Sequence, residues 1–367
     1  MLDIKNALLK DIKDAVEAII SADNQVITTL NISDTLRHNI LNCLVSYSDK
    51  IPYPASGFGN NNAVNSNTLI RWQILGYVAS IDLTIAKWFE SHLDALSILY
   101  EVGYSGNTDS LSNRLWAVWA SEGHPLSFNQ GKLNGTKAWC SGANIVDYGL
   151  MTYRDTSNDA QLLIVDMQEA DIEIDNSGWQ AVGMQATDTA TMTFTQAIAH
   201  QVGGANAYLD RVGFWHGAAG VAACWYGAAA RLAEYLVNAY QTKPNDYKAM
   251  YLGQISTSLA VTQQYFYSVA ELIDSQPHLS HELAIRQLRA NVEQLARQVI
   301  EVVGQALGAA PFCANAHFAR LSADLAVFIR QSHGAFDLQK IGELTSEVAG
   351  DLDNMQGNNK RDNIWQL

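Results

Sequence analysis

The residues with the most chemical promise lie in one short stretch, Gly131-Lys-Leu-Asn-Gly-Thr-Lys-Ala-Trp-Cys-Ser-Gly142. Asn134-Gly135, between two β-prone arms, reads as a hairpin turn, because both central residues of such a turn must tolerate positive φ. The second arm ends in Trp139, Cys140 and Ser141, followed by Gly142, so an indole and a hydroxyl share one strand edge. A planar ligand can rest against that indole while the hydroxyl or a backbone N–H bonds its rim. The competing reading is a strand tryptophan that belongs to the core. No grouping of His, Asp, Glu or Cys has metal-ligand spacing, so no metal is expected.

Three kinds of element must position these residues. Residues 1–112 carry helical patterning. Ile4, Leu8, Ile12 and Val16 form one stripe, and Ile70, Ile74, Val78, Ile81, Ile85 and Phe89 form another between Thr68 and Tyr100. Between the stripes, Ile51-Pro-Tyr-Pro-Ala-Ser-Gly-Phe-Gly-Asn-Asn-Asn62 is a loop, mobile or lid-forming. Residues 113–204 change to strands and turns. Leu115–Trp119 and Gln161–Val165 are short apolar runs, and Thr189–Thr195 alternates so that Ala190, Met192 and Phe194 share a face. Residues 205–350 return to helix. The clearest helix runs from His281 to about Leu307, with Ser280 placed as its cap, and is roughly 40 Å long at about 1.5 Å per residue. Residues 351–367 read as a flexible tail. The expected fold class is α+β, mainly α: an N-terminal helical domain, a small central β-barrel and a C-terminal four-helix bundle.

Composition narrows the functional classes. With 48% hydrophobic and 16% charged residues the chain is an ordered globular protein. A formal net charge of -14 argues against a nucleic-acid partner. Val212–Ala230 holds nineteen residues without a Lys, Arg, Asp or Glu, but it is rich in Gly and Ala and carries His216. It reads as a buried helix packed through small residues, with no membrane span. Cys43, Cys140, Cys224 and Cys313 are scattered, and Met1-Leu-Asp-Ile-Lys5 opens no secretory signal. Reduced thiols and a cytoplasmic location are expected.

The order of these regions and four motifs resemble the acyl-CoA dehydrogenase family of flavoproteins over about residues 68–345. Ala117-Val-Trp-Ala-Ser-Glu122 is similar to the family's first barrel strand, and Gly131–Ala143 to its Leu-Asn-Gly-x-Lys-x-Trp hairpin. Trp179-Gln-Ala-Val-Gly-Met-Gln-Ala-Thr187 is similar to its Gly-Met-Arg-x-Thr/Ser stretch. Gln305-Ala-Leu-Gly-Ala309 followed by Ala319-Arg-Leu-Ser-Ala-Asp324 is similar to its Gln-x-x-Gly-Gly and Arg-x-x-x-Asp segments. The resemblance implies FAD, held between barrel and bundle in a homo-oligomer, a dimer or tetramer. Trp139 would flank the flavin ring, Ser141 would bond it near N5, and Ser121 would meet its pyrimidine side. Gln305 and Gly308 would approach the adenosine–pyrophosphate part of FAD held mainly by a neighbouring subunit.

The chain departs from that pattern where the reaction is run. The family's catalytic glutamate falls on Ser332 or His333, which makes these two the candidate catalytic residues; imidazole titrates near neutrality and can act as base or acid. Glu234, on the first long helix after the barrel, is a weaker candidate for a relocated base. His92 is a minor candidate, with His124 and His216 below it. Tyr240-Gln-Thr-Lys-Pro-Asn-Asp246 replaces the family's Arg and Phe-Gly, and Gly123-His-Pro-Leu-Ser127 replaces its Gly-Ser-Asp turn, so no named residue supports CoA binding. The leading expectation is α,β-dehydrogenation of a small acyl substrate, a CoA thioester or a related acyl compound, with hydride transfer to flavin N5 and an electron-transfer partner. The alternatives are a two-component flavin monooxygenase fed by a flavin reductase, with His333 managing protons, and a non-catalytic relative.

Overall fold

Asp82 interrupts the helical patterning that runs from Thr68 to Tyr100. Its backbone is extended (φ -158°, ψ 126°), and its carboxylate accepts a hydrogen bond from Ile85 N at 3.0 Å. That cap ends α3 (Asn67–Ile81) and starts α4 (Leu83–Glu101). The same buried carboxylate pairs with Arg37 Nε at 3.3 Å, on α2 (Asp34–Val45), and with Arg320 Nε at 3.2 Å, on α10 (Ala316–Phe328). A charge this deep is tolerable only with such partners. The computed structural model describes residues 2–55, 67–106, 111–123, 125–168, 171–356 and 365. Most of the expected loop at 51–62, His124 and nearly all of the tail beyond 356 lie outside them.

The N-terminal region consists of α1 (Leu2–Ala22), α2, α3 and α4. Seven described strands follow: β1 (Trp116–Trp119), β2 (Leu126–Asn129), β3 (Lys132–Cys140), β4 (Tyr148–Arg154), β5 (Ala160–Asp166), β6 (Ile172–Asp175) and β7 (Ala190–Val202). Their order is β1-β4-β5-β7-β3-β2, with β6 on β7, and β1–β4 is the parallel pair among antiparallel ones. Long β7 serves both halves of this sheet, and β2 lies against β4 across it, which draws the halves together as the small barrel expected. The C-terminal helices are α5 (Ala207–Asp210), α6 (Gly213–Thr242), α7 (Asp246–Ser275), α8 (Glu282–Leu307), α9 (Ala310–Ala314), α10 and α11 (Ala335–Gln356). The expected order of helices, strands and helices is the one observed.

Two local expectations need correction. The hairpin turn is Gln130-Gly131 (φ 48° and 80°), closing the Asn129–Lys132 pair, and Asn134-Gly135 lies inside β3. There Gly135 (φ 113°) passes so close to β2 that a Cβ would sit 2.2 Å from Pro125 O. Asn134 Oδ1 accepts hydrogen bonds from Gln196 N and Nε2, both at 2.9 Å, pinning a bulge in β7 where Gln196 has φ 61°. The bulge shifts the alternation by one residue, so that Ala190, Met192 and Phe194 are buried and then Ala197 and Ala199. Finally, Ser280 does not cap α8: His281 stands at the cap position in left-handed conformation and makes no side-chain cap.

The small-residue segment is helical and buried within α6, as expected. Gly227 meets Gly76 of α3 so closely that a Cβ on it would lie 2.1 Å from Gly76 O. Among the described residues no helix is long and apolar enough to cross a membrane. The paired Asp82 carboxylate makes a direct prediction. Asp82→Ala leaves buried Arg37 and half-buried Arg320 each short of a partner and uncaps α4, so urea unfolding should show a loss of about 3–5 kcal/mol. An unchanged midpoint would mean that the node is dispensable.

Candidate functional site

The last residues of β3 leave the regular strand. Pairing with β7 is irregular between Lys137 and Cys140, and Trp139 adopts φ 64°, a left-handed conformation rare for a bulky side chain. The bulge turns the indole outward, where it is 64% exposed, instead of into the core. Trp179 meets it edge to face, with centroids 6.2 Å apart and planes at 89°. Backbone contacts hold the bend: Trp119 Nε1 donates to Ser141 O at 3.1 Å, and Gly142 N to Thr187 O at 3.0 Å. Holding such a conformation costs about 1–3 kcal/mol, which marks the position as one the surrounding fold determines.

A file of hydroxyls runs inward from Ser141. Ser141 Oγ and Thr189 Oγ1 are 3.1 Å apart, Thr189 Oγ1 and Thr187 Oγ1 3.0 Å, and Thr187 Oγ1 donates to Met184 O at 2.7 Å. A carbonyl can only accept, and each hydroxyl has one proton. The direction of the file is therefore set: Thr187 donates to Met184, Thr189 to Thr187, and Ser141 to Thr189. Ser141 is left presenting a lone pair.

These groups line a cavity of about 470 Å³. Its opposite wall comes from Lys87 of α4, from Val327 and Phe328 at the end of α10, and from the following turn with Arg330, Gln331 and His333. Asp324 sets the distance between the walls. Buried on α10, it accepts a hydrogen bond from Met184 N at 2.6 Å, and Gly183 runs so close that a Cβ would lie 2.1 Å from Ala323 O. Burial raises the Asp324 carboxyl to about 6, against the lowering effect of the Met184 amide.

Four of the expected site residues, Ser121, Trp139, Ser141 and His333, meet in this cavity. Ser332 is adjacent in sequence but does not line it; its N–H donates to Ile329 O at 3.1 Å and its Oγ accepts from Gly334 N at 3.4 Å. The backbone N–H of His333 donates to Asp337 Oδ2 at 3.0 Å, which fixes the turn. Gln305 and Gly308 are exposed at the C-terminal end of α8, away from the cavity, and Gln305 Nε2 bonds Glu301 at 3.1 Å. Glu234 lines a different cavity, of about 380 Å³, and is ion-paired with Arg231. His92 is a core residue: its Nε2 lies 2.9 Å from Ser48 Oγ, its Nδ1 accepts from Trp116 N, and burial lowers it to about 3. His216 is likewise buried, bonded to Leu279 O and lowered to about 4.

Sequence reasoning missed Lys87, Thr189 and Arg330 as cavity residues. Trp179 and Thr187 stood within a recognised motif, yet nothing local showed that they faced Trp139. Lys87 is one position in an apolar helix, with no spacing to mark it. Among the described residues no group of three or more His, Cys, Asp or Glu side chains is arranged to hold a metal ion.

No family model and no curated protein matches the chain. Solved structures do. The chain is similar to butyryl-CoA dehydrogenase from Megasphaera elsdenii (TM-score 0.73, 13% identity, 92% of this chain and 98% of that one). It is similar to TdsC from Paenibacillus sp. A11-2 in complex with FMN and indole (TM-score 0.70, 16% identity, 95% and 97%). It is also similar to 3-HSA hydroxylase from Rhodococcus sp. RHA1 (TM-score 0.67, 13% identity, 95% and 96%). The chain thus has the acyl-CoA dehydrogenase fold, and the resemblance is borne out at that level.

Asp324 makes the second prediction. Its folded value, about 6, lies above the ordinary 3.8. The native state therefore keeps the proton longer than the unfolded chain, and stability falls as pH rises from about 4 to 6. Asp324→Asn can still accept from Met184 N without that charge, so its urea midpoint relative to wild type should rise between pH 4 and pH 7. Asp324→Ala leaves the amide unpaired and should cost about 1–3 kcal/mol at both pH values. If the Asn and Ala variants behave alike, the hydrogen bond is not what joins the walls.

Proposed function

We propose that the chain is a flavin-dependent oxidoreductase whose ring site is the Trp139 cavity, and that it works with reduced flavin in a monooxygenase-type reaction. The observation that carries this reading is the direction of the hydroxyl file. Ser141 presents an acceptor, which suits the ring N–H that a flavin carries when reduced. The donor set fits the group. Trp139 offers a flat face, Lys87 and Arg330 bring positive charge toward a ring that gains negative charge on reduction, and the volume suits a small planar ligand. A bound flavin would supply two-electron transfer and, when reduced, reaction with oxygen.

The chain's own residues then have distinct tasks. Trp139 packs the ring and, with Phe328, excludes water. Ser141 holds a proton-bearing ring nitrogen in register. His333 lines the cavity and its ring makes no hydrogen bond to another described residue, so it can take up and return a proton. Among the described residues no Asp or Glu lines this cavity, which leaves α-proton abstraction from an acyl thioester without a carboxylate base. Dehydrogenation is the second reading, and it would place that task on His333.

FAD is the nucleotide that the resemblance favours. Its adenosine would extend toward Gln305 and Gly308 of a second copy in a homo-oligomer, whereas FMN needs neither residue. A separate flavin reductase is the partner that the monooxygenase reading requires.

Titration with oxidised and photoreduced FMN and FAD under anaerobic conditions tests the reading. Reduced flavin should bind at least tenfold more tightly than oxidised, and Ser141→Ala should erase that preference. Trp139→Ala should weaken both forms about tenfold, within the range of about 1–3 kcal/mol for aromatic stacking. Bleaching of bound oxidised flavin by butyryl-CoA would instead establish the dehydrogenase, and a protein that binds neither flavin would be a non-catalytic relative.

A further inference from the structure

Behind Lys87 lies another cavity, of about 180 Å³ and open to solvent on one side, lined by residues of α4, α5, α6, α8 and the end of β1. It adjoins the first. Lys87 lines both, and consecutive residues at the end of β1 divide between them, Ala120 on this side and Ser121 on the other. Arg289 of this cavity also reaches Gln331 O of the other, at 3.5 Å.

The hydrogen-bonding capacity here is unmet in a specific pattern. Glu90 is only 6% exposed, its nearest cation is Lys87 Nζ at 3.8 Å, and it accepts no hydrogen bond from a described residue. Asp94, which is half-buried, likewise accepts no hydrogen bond from a described residue, with Arg211 Nη2 at 3.8 Å. Gly217 keeps that space clear, since a Cβ there would lie 2.6 Å from Asp94 Oδ1. On the donor side, Lys87 Nζ makes no hydrogen bond to a described residue, and Arg211 Nε is buried without a partner. The other end of Arg211 is committed, with Nη1 on Glu101 at 3.0 Å, and Arg289 is committed to Ala218 O and to the face of Trp225. Groups in this state seek complementary partners, because a polar group removed from water without a hydrogen bond loses free energy.

Charge adds a second constraint. The lining groups with unmet capacity are two cations, Lys87 and Arg211, and two carboxylates, Glu90 and Asp94, which balance when all are ionised. A ligand of net charge would upset that balance, whereas one carrying both signs would answer both sets of unmet groups. We propose that this cavity binds a small zwitterion of the amino-acid class, its ammonium group taken by Glu90 and Asp94 and its carboxylate by Lys87 and Arg211. Its place beside the flavin cavity makes that molecule the substrate, a role that rests on the flavin reading; the binding does not.

Glu90 also makes the binding depend on pH. Burial raises its carboxyl to about 7, with Asp94 of α4 adding to the rise and Lys87 of α4, Arg71 of α3 and Arg289 of α8 opposing it. An ammonium group prefers the ionised carboxylate, so affinity should increase as pH rises through about 7.

Three probes of one size separate the possibilities: L-alanine (zwitterion), L-alaninol (cation) and L-lactate (anion), each titrated calorimetrically into the full-length protein. L-alanine should bind at least tenfold more tightly than either analogue and more tightly at pH 8 than at pH 6. Glu90→Gln and Asp94→Asn, checked for folding by circular dichroism, should each weaken it at least tenfold, and Trp139→Ala should leave it unchanged. Equal or tighter binding of L-alaninol or L-lactate by wild type, or no saturable L-alanine binding at pH 8, overturns the proposal whatever the variants do. Flavin binding without L-alanine binding sinks this subsite alone, and L-alanine binding without flavin binding sinks the flavin reading alone.

Discussion

One helix, α10, carries the contacts on which the site depends. Near its start Arg320 reaches the buried Asp82 carboxylate, which also caps α4 and pairs with Arg37. One turn later Asp324 takes the Met184 amide of the β domain. Its last turn and the residues after it supply Val327, Phe328, Arg330, Gln331 and His333 to the cavity. The helix therefore sets three distances at once: to the N-terminal helices, to the strand domain and to the ligand space. Because both carboxylates are buried, neither can shift far without leaving a charge or an amide unpaired.

That rigidity supports local conformations that would not persist alone. Trp139 in left-handed geometry and the outward turn of its indole need the backbone bonds at Ser141 and Gly142 to hold them. The hydroxyl file has the same character. Ser141, Thr189 and Thr187 have no intrinsic direction, and a carbonyl at the inner end imposes one on all three. The polar groups behind Lys87 complete the picture. Paired loosely at 3.8 Å, Glu90 and Asp94 keep their acceptors available, unlike Asp82, whose acceptors are fully engaged.

Much of this was legible in the chain and some was not. The alternation at Thr189–Thr195 placed Ala190, Met192 and Phe194 inside, because a strand's period of two needs no distant information. The Gly-rich stretch of α6 declared close helix packing for the same reason. The Asn134-Gly135 pair signalled positive φ, which Gly135 has, but whether it forms a turn or an in-strand bulge depended on Gln196, more than sixty residues away. Residues recognised by motif, Ser121, Trp139, Ser141 and His333, converged. Glu234 was a reasonable base by type, and α6 simply turns it toward another cavity.

By itself, then, the amino-acid sequence determined the succession of helices, strands and helices and the identity of the aromatic and hydroxyl edge. Periodicity and turn chemistry are local properties, and they survive in a one-dimensional text. Only the tertiary structure decided that Lys87, Thr189 and Arg330 face Trp139, and that Glu90 and Asp94 stand with their acceptors unmet. Those facts depend on which faces of α4, α8 and α10 meet across the fold, and buried charges such as Asp82 and Asp324 choose that meeting by the partners they require.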